Sequence, residues 1–169
     1  MRHIFLILTS LALIAGANAQ SRKERKILFG STYNYEVAVL GVGQDGTKVF
    51  KVWGYAKKVD DAIVQAKKNA VAACIFRGIP GGNGAAPTPA ICREANAEET
   101  HADYFDSFFA TGGKYLKYVN LTTDAVPSGQ DRLKVKGGYK VGIAVQILYN
   151  DLRSDLEADG IARRLDAGF

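Results

Sequence analysis

Residues 139–149 alternate without interruption: Tyr139, Val141, Ile143, Val145, Ile147 and Tyr149 fall on one side, while Gly142 and Ala144 keep the other side small. A period of two sustained over this length admits a β-strand with one buried face. It excludes an amphipathic helix, whose apolar positions recur every three or four residues. Such a strand needs partners. Residues 132–136 alternate around Leu133 and Val135, and Gly137-Gly138 turns the chain into the long strand, making a hairpin. Nearer the N-terminus, residues 33–42 alternate around Tyr33, Tyr35, Val37 and Val39, and residues 47–55 are rich in β-branched and aromatic side chains. The turn signal Gly43-Gln44-Asp45-Gly46 separates these two runs and predicts a second hairpin. Residues 115–121 read as one further strand.

Between the hairpins the period changes. Ala62, Ile63, Ala66, Ala70, Ala73 and Cys74 recur at spacings of three and four, with Asp60 as the expected N-cap and Gly78 as the stop. Lys67, Lys68 and Asn69 are expected on the opposite, solvated side, and the small apolar residues would let the helix lie close against a sheet. Residues 98–110 predict a second helix with Ala102, Phe105, Phe108 and Phe109 on one face. Asp151 can cap a last helix carrying Leu152 and Leu156, interrupted by Gly160. Between the first two helices, residues 78–97 turn to Gly, Pro, Ala and Asn, a long loop of the kind that is either functional or mobile. The order strand, strand, helix, loop, helix, strand, strand, strand, helix predicts an α+β domain. It would hold a mainly antiparallel sheet of about five strands with helices packed on one face.

The first 19 residues read as a cleavable secretory signal: Arg2 and His3 precede an apolar run, and Ala17-Asn18-Ala19 supplies the small-x-small pattern before Gln20. The run is shorter than the roughly 20 apolar residues of a membrane span. No cysteine near the cleavage site could carry a lipid, so the mature chain is expected to be exported and soluble or peripherally attached, in the periplasm or at the outer membrane. Residues 20–32, with Arg22, Lys23, Arg25 and Lys26, read as a mobile basic arm, leaving residues 33–169 as one α+β domain. Removing the signal lowers the formal net charge of +5 only by Arg2, a balance that suits acidic envelope surfaces and gives no argument for nucleic acid. Two cysteines remain, Cys74 and Cys92. An oxidising compartment favours a disulfide between them, while the apolar side of the helix also suits Cys74 as a small buried residue.

The chemistry-bearing patterns are thin. Residues 41–46 match Gly-x-Gly-x-x-Gly, but the run that follows alternates like a strand, whereas a dinucleotide site needs a helix N-terminus there. The glycines of residues 78–84 lack the Lys-Ser or Lys-Thr of a phosphate loop. His101 is the one histidine beyond the signal, so no site can use two imidazoles; with Glu98 and Asp103 it offers too few nameable ligands for zinc. A Cys92–His101 dyad would compete with the disulfide. No catalytic set, metal site or cofactor is therefore expected. Trp53 and Tyr55 could be core or cross-strand aromatics, or could line a binding surface.

Residues 52–78 (VWGYAKKVDDAIVQAKKNAVAACIFRG) resemble the exported domain at the N-terminus of flagellar assembly protein T and of related small bacterial outer-membrane lipoproteins. Residues 139–161 (YKVGIAVQILYNDLRSDLEADGI) resemble the closing strand and helix of the same domains. The resemblance implies a non-enzymatic envelope protein that supports or anchors a larger assembly of other envelope proteins. On that reading Trp53 and Tyr55, together with Gly81, Gly82 and Asn83 of the loop, are the interaction candidates. A small-ligand or polysaccharide-binding module using the aromatics as stacking platforms is the alternative.

Overall fold

A computed structural model of the chain describes residues 22–30, 36–42 and 47–165. The signal of residues 1–19, the turn of residues 43–46 and the expected start of the first strand at Tyr33 and Tyr35 lie outside the described residues. The elements run α1 (Arg22–Gly30), β1 (Val37–Val42), β2 (Lys48–Ala56), α2 (Val59–Ala72), α3 (Ala97–Thr100), α4 (Ala102–Phe108), β3 (Val119–Leu121), β4 (Arg132–Val135), β5 (Gly138–Ile147) and α5 (Tyr149–Ala158). The architecture is α+β, a five-stranded antiparallel sheet with helices packed against it.

β5 is the sheet's spine. It pairs with β2 from Ala56↔Tyr139 to Lys48↔Ile147. Its other edge holds β4 beside its first half and β3 beside its last residues. β1 pairs with β2, and the register slips between Val39 and Gly41 so that Leu40 is the extra, bulged residue on the open edge. The inward face carries Phe50, Val52, Val141, Ile143, Val145 and Ile147, all buried. α2 lays Ala62, Ala66 and Ala70 against this face, and it reaches closest at Gly54, where a Cβ would stand 2.2 Å from the Ala62 carbonyl oxygen. Alanine on the helix and glycine on the strand are thus one adaptation: two backbones in near contact.

Several expectations are corrected by packing. Residues 22–30 form a helix where a mobile arm was expected: Leu28 is fully buried, and the Arg25 guanidinium donates to the Glu98 carbonyl at 2.7 Å and pairs with Asp106 at 3.5 Å. Lys68 and Asn69 are consequently buried, not solvated, because α1 and the segment Lys114–Tyr118 cover that side of α2. The Lys68 ammonium lies 5.8 Å from the centre of the Tyr115 ring, and burial pushes its pKa down while Glu24 of α1 opposes the shift. Only Val119–Leu121 of the expected strand at residues 115–121 is extended; Lys114–Tyr118 is a 3₁₀ turn that buries both Tyr115 and Tyr118, three residues apart, on one side. The helix expected over residues 98–110 is broken at His101 (φ −112°, ψ 39°) into α3 and α4. α2 begins at Val59, one residue before the expected cap Asp60, and Tyr149 opens α5 where it was expected to close the strand.

Candidate functional site

The face of the sheet opposite α2 carries no described helix. Register places Trp53 against Gly142, Tyr55 against Lys140, Lys51 against Ala144, and Leu133 against Lys140, all on this face. Trp53, Tyr55, Lys51 and Lys140 are each half-buried, and Leu133 is exposed. Gly142 is what lets the indole lie flat on the sheet: a Cβ there would stand 2.8 Å from Trp53 Nε1. The ammonium groups of Lys140 and Lys51 stand 5.6 Å and 6.0 Å from the ring centre. Each is ion-paired, Lys51 with Asp131 at 2.7 Å and Lys140 with Glu36 at 2.5 Å. Tyr55 donates its hydroxyl to the Lys136 carbonyl at 2.9 Å. From the other face, buried Asn69 donates to the Trp53 carbonyl at 2.9 Å and accepts from Gln65 at 2.8 Å, so α2 fixes the strand at the residue that carries the indole. The result is an aromatic centre with an ion-paired rim.

Gly81, Gly82 and Asn83 are elsewhere. The segment expected as an irregular loop is a small hairpin, with bridges Ile79↔Thr88 and Gly82↔Ala85. Asn83 (φ 47°) and Gly84 (φ 76°) both take the left-handed backbone that a two-residue hairpin turn requires. The tip docks on the outer strand: Asn83 Nδ2 donates to the Val39 carbonyl at 2.7 Å, and Gly82 abuts the Val39 side chain. Val39 pairs with inward-facing Phe50, so the tip sits towards the helix side, and the structure does not bring it to Trp53 and Tyr55.

The cysteines are free thiols, which corrects the expected disulfide. Past Ala72 the helix widens into a π turn, Ala73–Arg77, and the freed Cys74 and Ile75 carbonyls accept from the Ile91 and Cys92 amides at 3.1 and 2.8 Å. Backbone hydrogen bonds therefore close the loop that the disulfide was expected to close. Cys74 is fully buried in the core, whereas Cys92 directs its sulfur to the Ile161 carbonyl, 3.8 Å away. Burial pushes the Cys74 thiol up to about 12 and the Cys92 thiol up to about 11. Both are poor nucleophiles.

Cys92 also lines a cavity of about 350 Å³ that no sequence pattern announced. α5 ends in a Schellman turn, with Gly160 at φ 71°, the Ile161 amide on the Leu156 carbonyl at 2.9 Å and the Gly160 amide on the Glu157 carbonyl at 3.2 Å. The turn throws residues 161–165 back across residues 91–97, and the space between them is the cavity.

His101 sits at the α3–α4 break, and among the described residues no group of three or more His, Cys, Asp or Glu side chains is placed to hold a metal ion. No helix among the described residues is long and apolar enough to cross a membrane. Comparison of the chain with protein-family models, with curated proteins and with solved structures finds no match.

Proposed function

We propose that the protein is a non-enzymatic accessory component of a bacterial envelope that docks another envelope protein on the uncovered face of its sheet. The observation that carries this reading is Trp53: half-buried on an aromatic and aliphatic face, fixed by Gly142 beneath it and Asn69 behind it, and rimmed by two ion-paired lysines. Tryptophan and tyrosine held rigid at the centre of a patch, with polar groups around it, supply most of the energy of protein–protein contacts. Lys51 and Lys140 ring the indole with charges already fixed by Asp131 and Glu36, a polar border of the kind protein contacts have. That placement favours a protein partner over a stacked polysaccharide. The export signal and the resemblance to envelope-assembly domains supply the compartment.

The test is capture from gently solubilised envelopes with the tagged mature protein, comparing wild type, Trp53→Ala and Asn83→Ala. A stoichiometric partner should be lost with Trp53→Ala, whose truncation at an interface centre costs about 2 kcal/mol or more, roughly thirtyfold in affinity. Asn83→Ala, on the other side of the sheet, should leave capture unchanged. Equal capture by wild type and Trp53→Ala would overturn the assignment of the face. Saturable calorimetric binding of cell-wall fragments that Trp53→Ala abolishes would overturn the protein-partner reading.

A further inference from the structure

The cavity between residues 91–97 and 161–165 is unlike the sheet face in every respect that matters for a ligand. Among the described residues its apolar wall is aliphatic, from Ile91, Ala97, Ile161, Ala162 and Leu165. Ile91, Ala97 and Ala162 are buried, and Leu165 stands exposed at the mouth. Against this wall are set four arginines, Arg93, Arg153, Arg163 and Arg164, with Glu94 the one acid among the lining residues. Its volume, about 350 Å³, falls within the range of small-molecule sites.

Arg153 is the preorganised member. Its side chain is 12% exposed and is pinned by Glu157 at 2.9 Å. The Tyr149 hydroxyl, which donates to the Pro89 carbonyl at 2.9 Å, stands beside it. Glu157 engages one of the five N–H donors that a guanidinium carries, a planar group whose geometry suits a carboxylate. A buried, oriented guanidinium beside an aliphatic wall is complementary to a molecule with an anionic head and an apolar tail. Among the described residues no aromatic ring lines the cavity, which argues for an acyl chain over a planar ring system.

We propose that this cavity is a binding site for a medium-chain fatty carboxylate, its head on Arg153 with Arg93 at the rim and its chain along Ile91, Ala97 and Ile161. The site shares no lining residue with the Trp53 face, and Cys92 Sγ, 3.8 Å from the Ile161 carbonyl, ties its two walls together.

Calorimetric titration of the purified mature protein with dodecanoate below its micellar concentration tests the assignment. The expected result is saturable one-to-one binding that weakens about tenfold or more in Arg153→Gln, as loss of a charge-assisted hydrogen bond dictates. Arg93→Glu, an exposed position whose reversal leaves the fold undisturbed, should weaken it comparably, and Trp53→Ala should leave it intact. Dodecanol and dodecyltrimethylammonium, with the same chain and a neutral or cationic head, should bind at least about tenfold more weakly. Absence of saturable heat, equal affinity for the three head groups, or unchanged affinity in Arg93→Glu would overturn the proposal. Binding of dodecyl phosphate without binding of dodecanoate would overturn the carboxylate assignment. Loss of dodecanoate binding in Trp53→Ala would place the ligand on the sheet face and overturn the cavity site.

Discussion

Replacing Gly54 with alanine drives a methyl group into the closest approach of sheet and helix. The new Cβ would lie 2.2 Å from the Ala62 carbonyl oxygen and 2.5 Å from the Ala66 amide nitrogen. Carbon atoms rest about 3.5–4.0 Å from their neighbours, so β2 and α2 must part by more than about 1 Å at this point. Both neighbours are backbone atoms of a helix that also packs on β5, so no side chain can swing aside to absorb the shift. Overpacking of this kind costs about 3 kcal/mol, the upper end of its usual range. Alanine in a strand interior recovers up to about 1 kcal/mol over glycine by restricting the unfolded chain. The net loss is therefore about 2 kcal/mol, which for a chain of this size lowers Tm by roughly 4–8 °C. Urea unfolding followed by the fluorescence of the protein's one tryptophan should show a lower midpoint with an unchanged slope. Gly41→Ala, with nothing within 4 Å of its Cβ, is the matched control and should be neutral or mildly stabilising. A Gly54→Ala protein as stable as wild type would refute the argument that backbone proximity dictates glycine here.

The thiols and the carboxylates of α5 allow two further tests. With burial holding the Cys74 thiol near 12 and the Cys92 thiol near 11, the native protein at pH 8 should react with a disulfide reagent at least about a hundredfold more slowly than free cysteine. In urea without reductant both thiols should titrate; finding none would restore the disulfide. Lys117 and Tyr118 hold the Asp155 carboxyl below its usual 3.8, and Lys114 and Tyr104 do the same for Asp159. A carboxyl depressed in the folded state contributes stability that is complete above its unfolded value and is lost as pH falls through its folded value. Urea midpoints should therefore fall below about pH 4, and Asp155→Asn should flatten that acid limb; an equally steep limb would refute the coupling.

What the residues announced depends on whether a single element sufficed to decide it. The alternation from Tyr139 to Ile147 described a strand buried on one face, and the sheet grew around it as β5. The alanine stripe of α2 was equally legible, because small residues at helical spacing have few other uses. Lys68 and Asn69 were misplaced because the two surfaces that bury them, α1 and the Lys114–Tyr118 turn, lie far away in the chain. Tyr115 and Tyr118 fit a strand by composition, and only the side on which both are buried reveals the three-residue period. The hairpin of residues 79–88 carried its own signal, Asn83-Gly84, which the surrounding glycines and prolines masked. The Trp53 face was half legible: aromatics on β2 were visible but fitted core, cross-strand packing or a binding surface alike, and the register with β5 was needed to turn them away from α2 and set the lysines beside the ring. The aliphatic cavity was not legible at all, since its two walls are about seventy residues apart and meet only through the Schellman turn at Gly160.

The π turn at the end of α2 has a consequence for how this chain can diversify. It clamps the segment at Ile91 and Cys92 through main-chain atoms alone, and the hairpin between is closed by further main-chain bridges. Contacts of that kind are indifferent to side-chain identity. The residues flanking the tip can therefore accept drift in sequence while the scaffold beneath keeps its shape, whereas the tip itself is held to Asn83-Gly84 by its left-handed backbone and by the Asn83 side chain on the Val39 carbonyl.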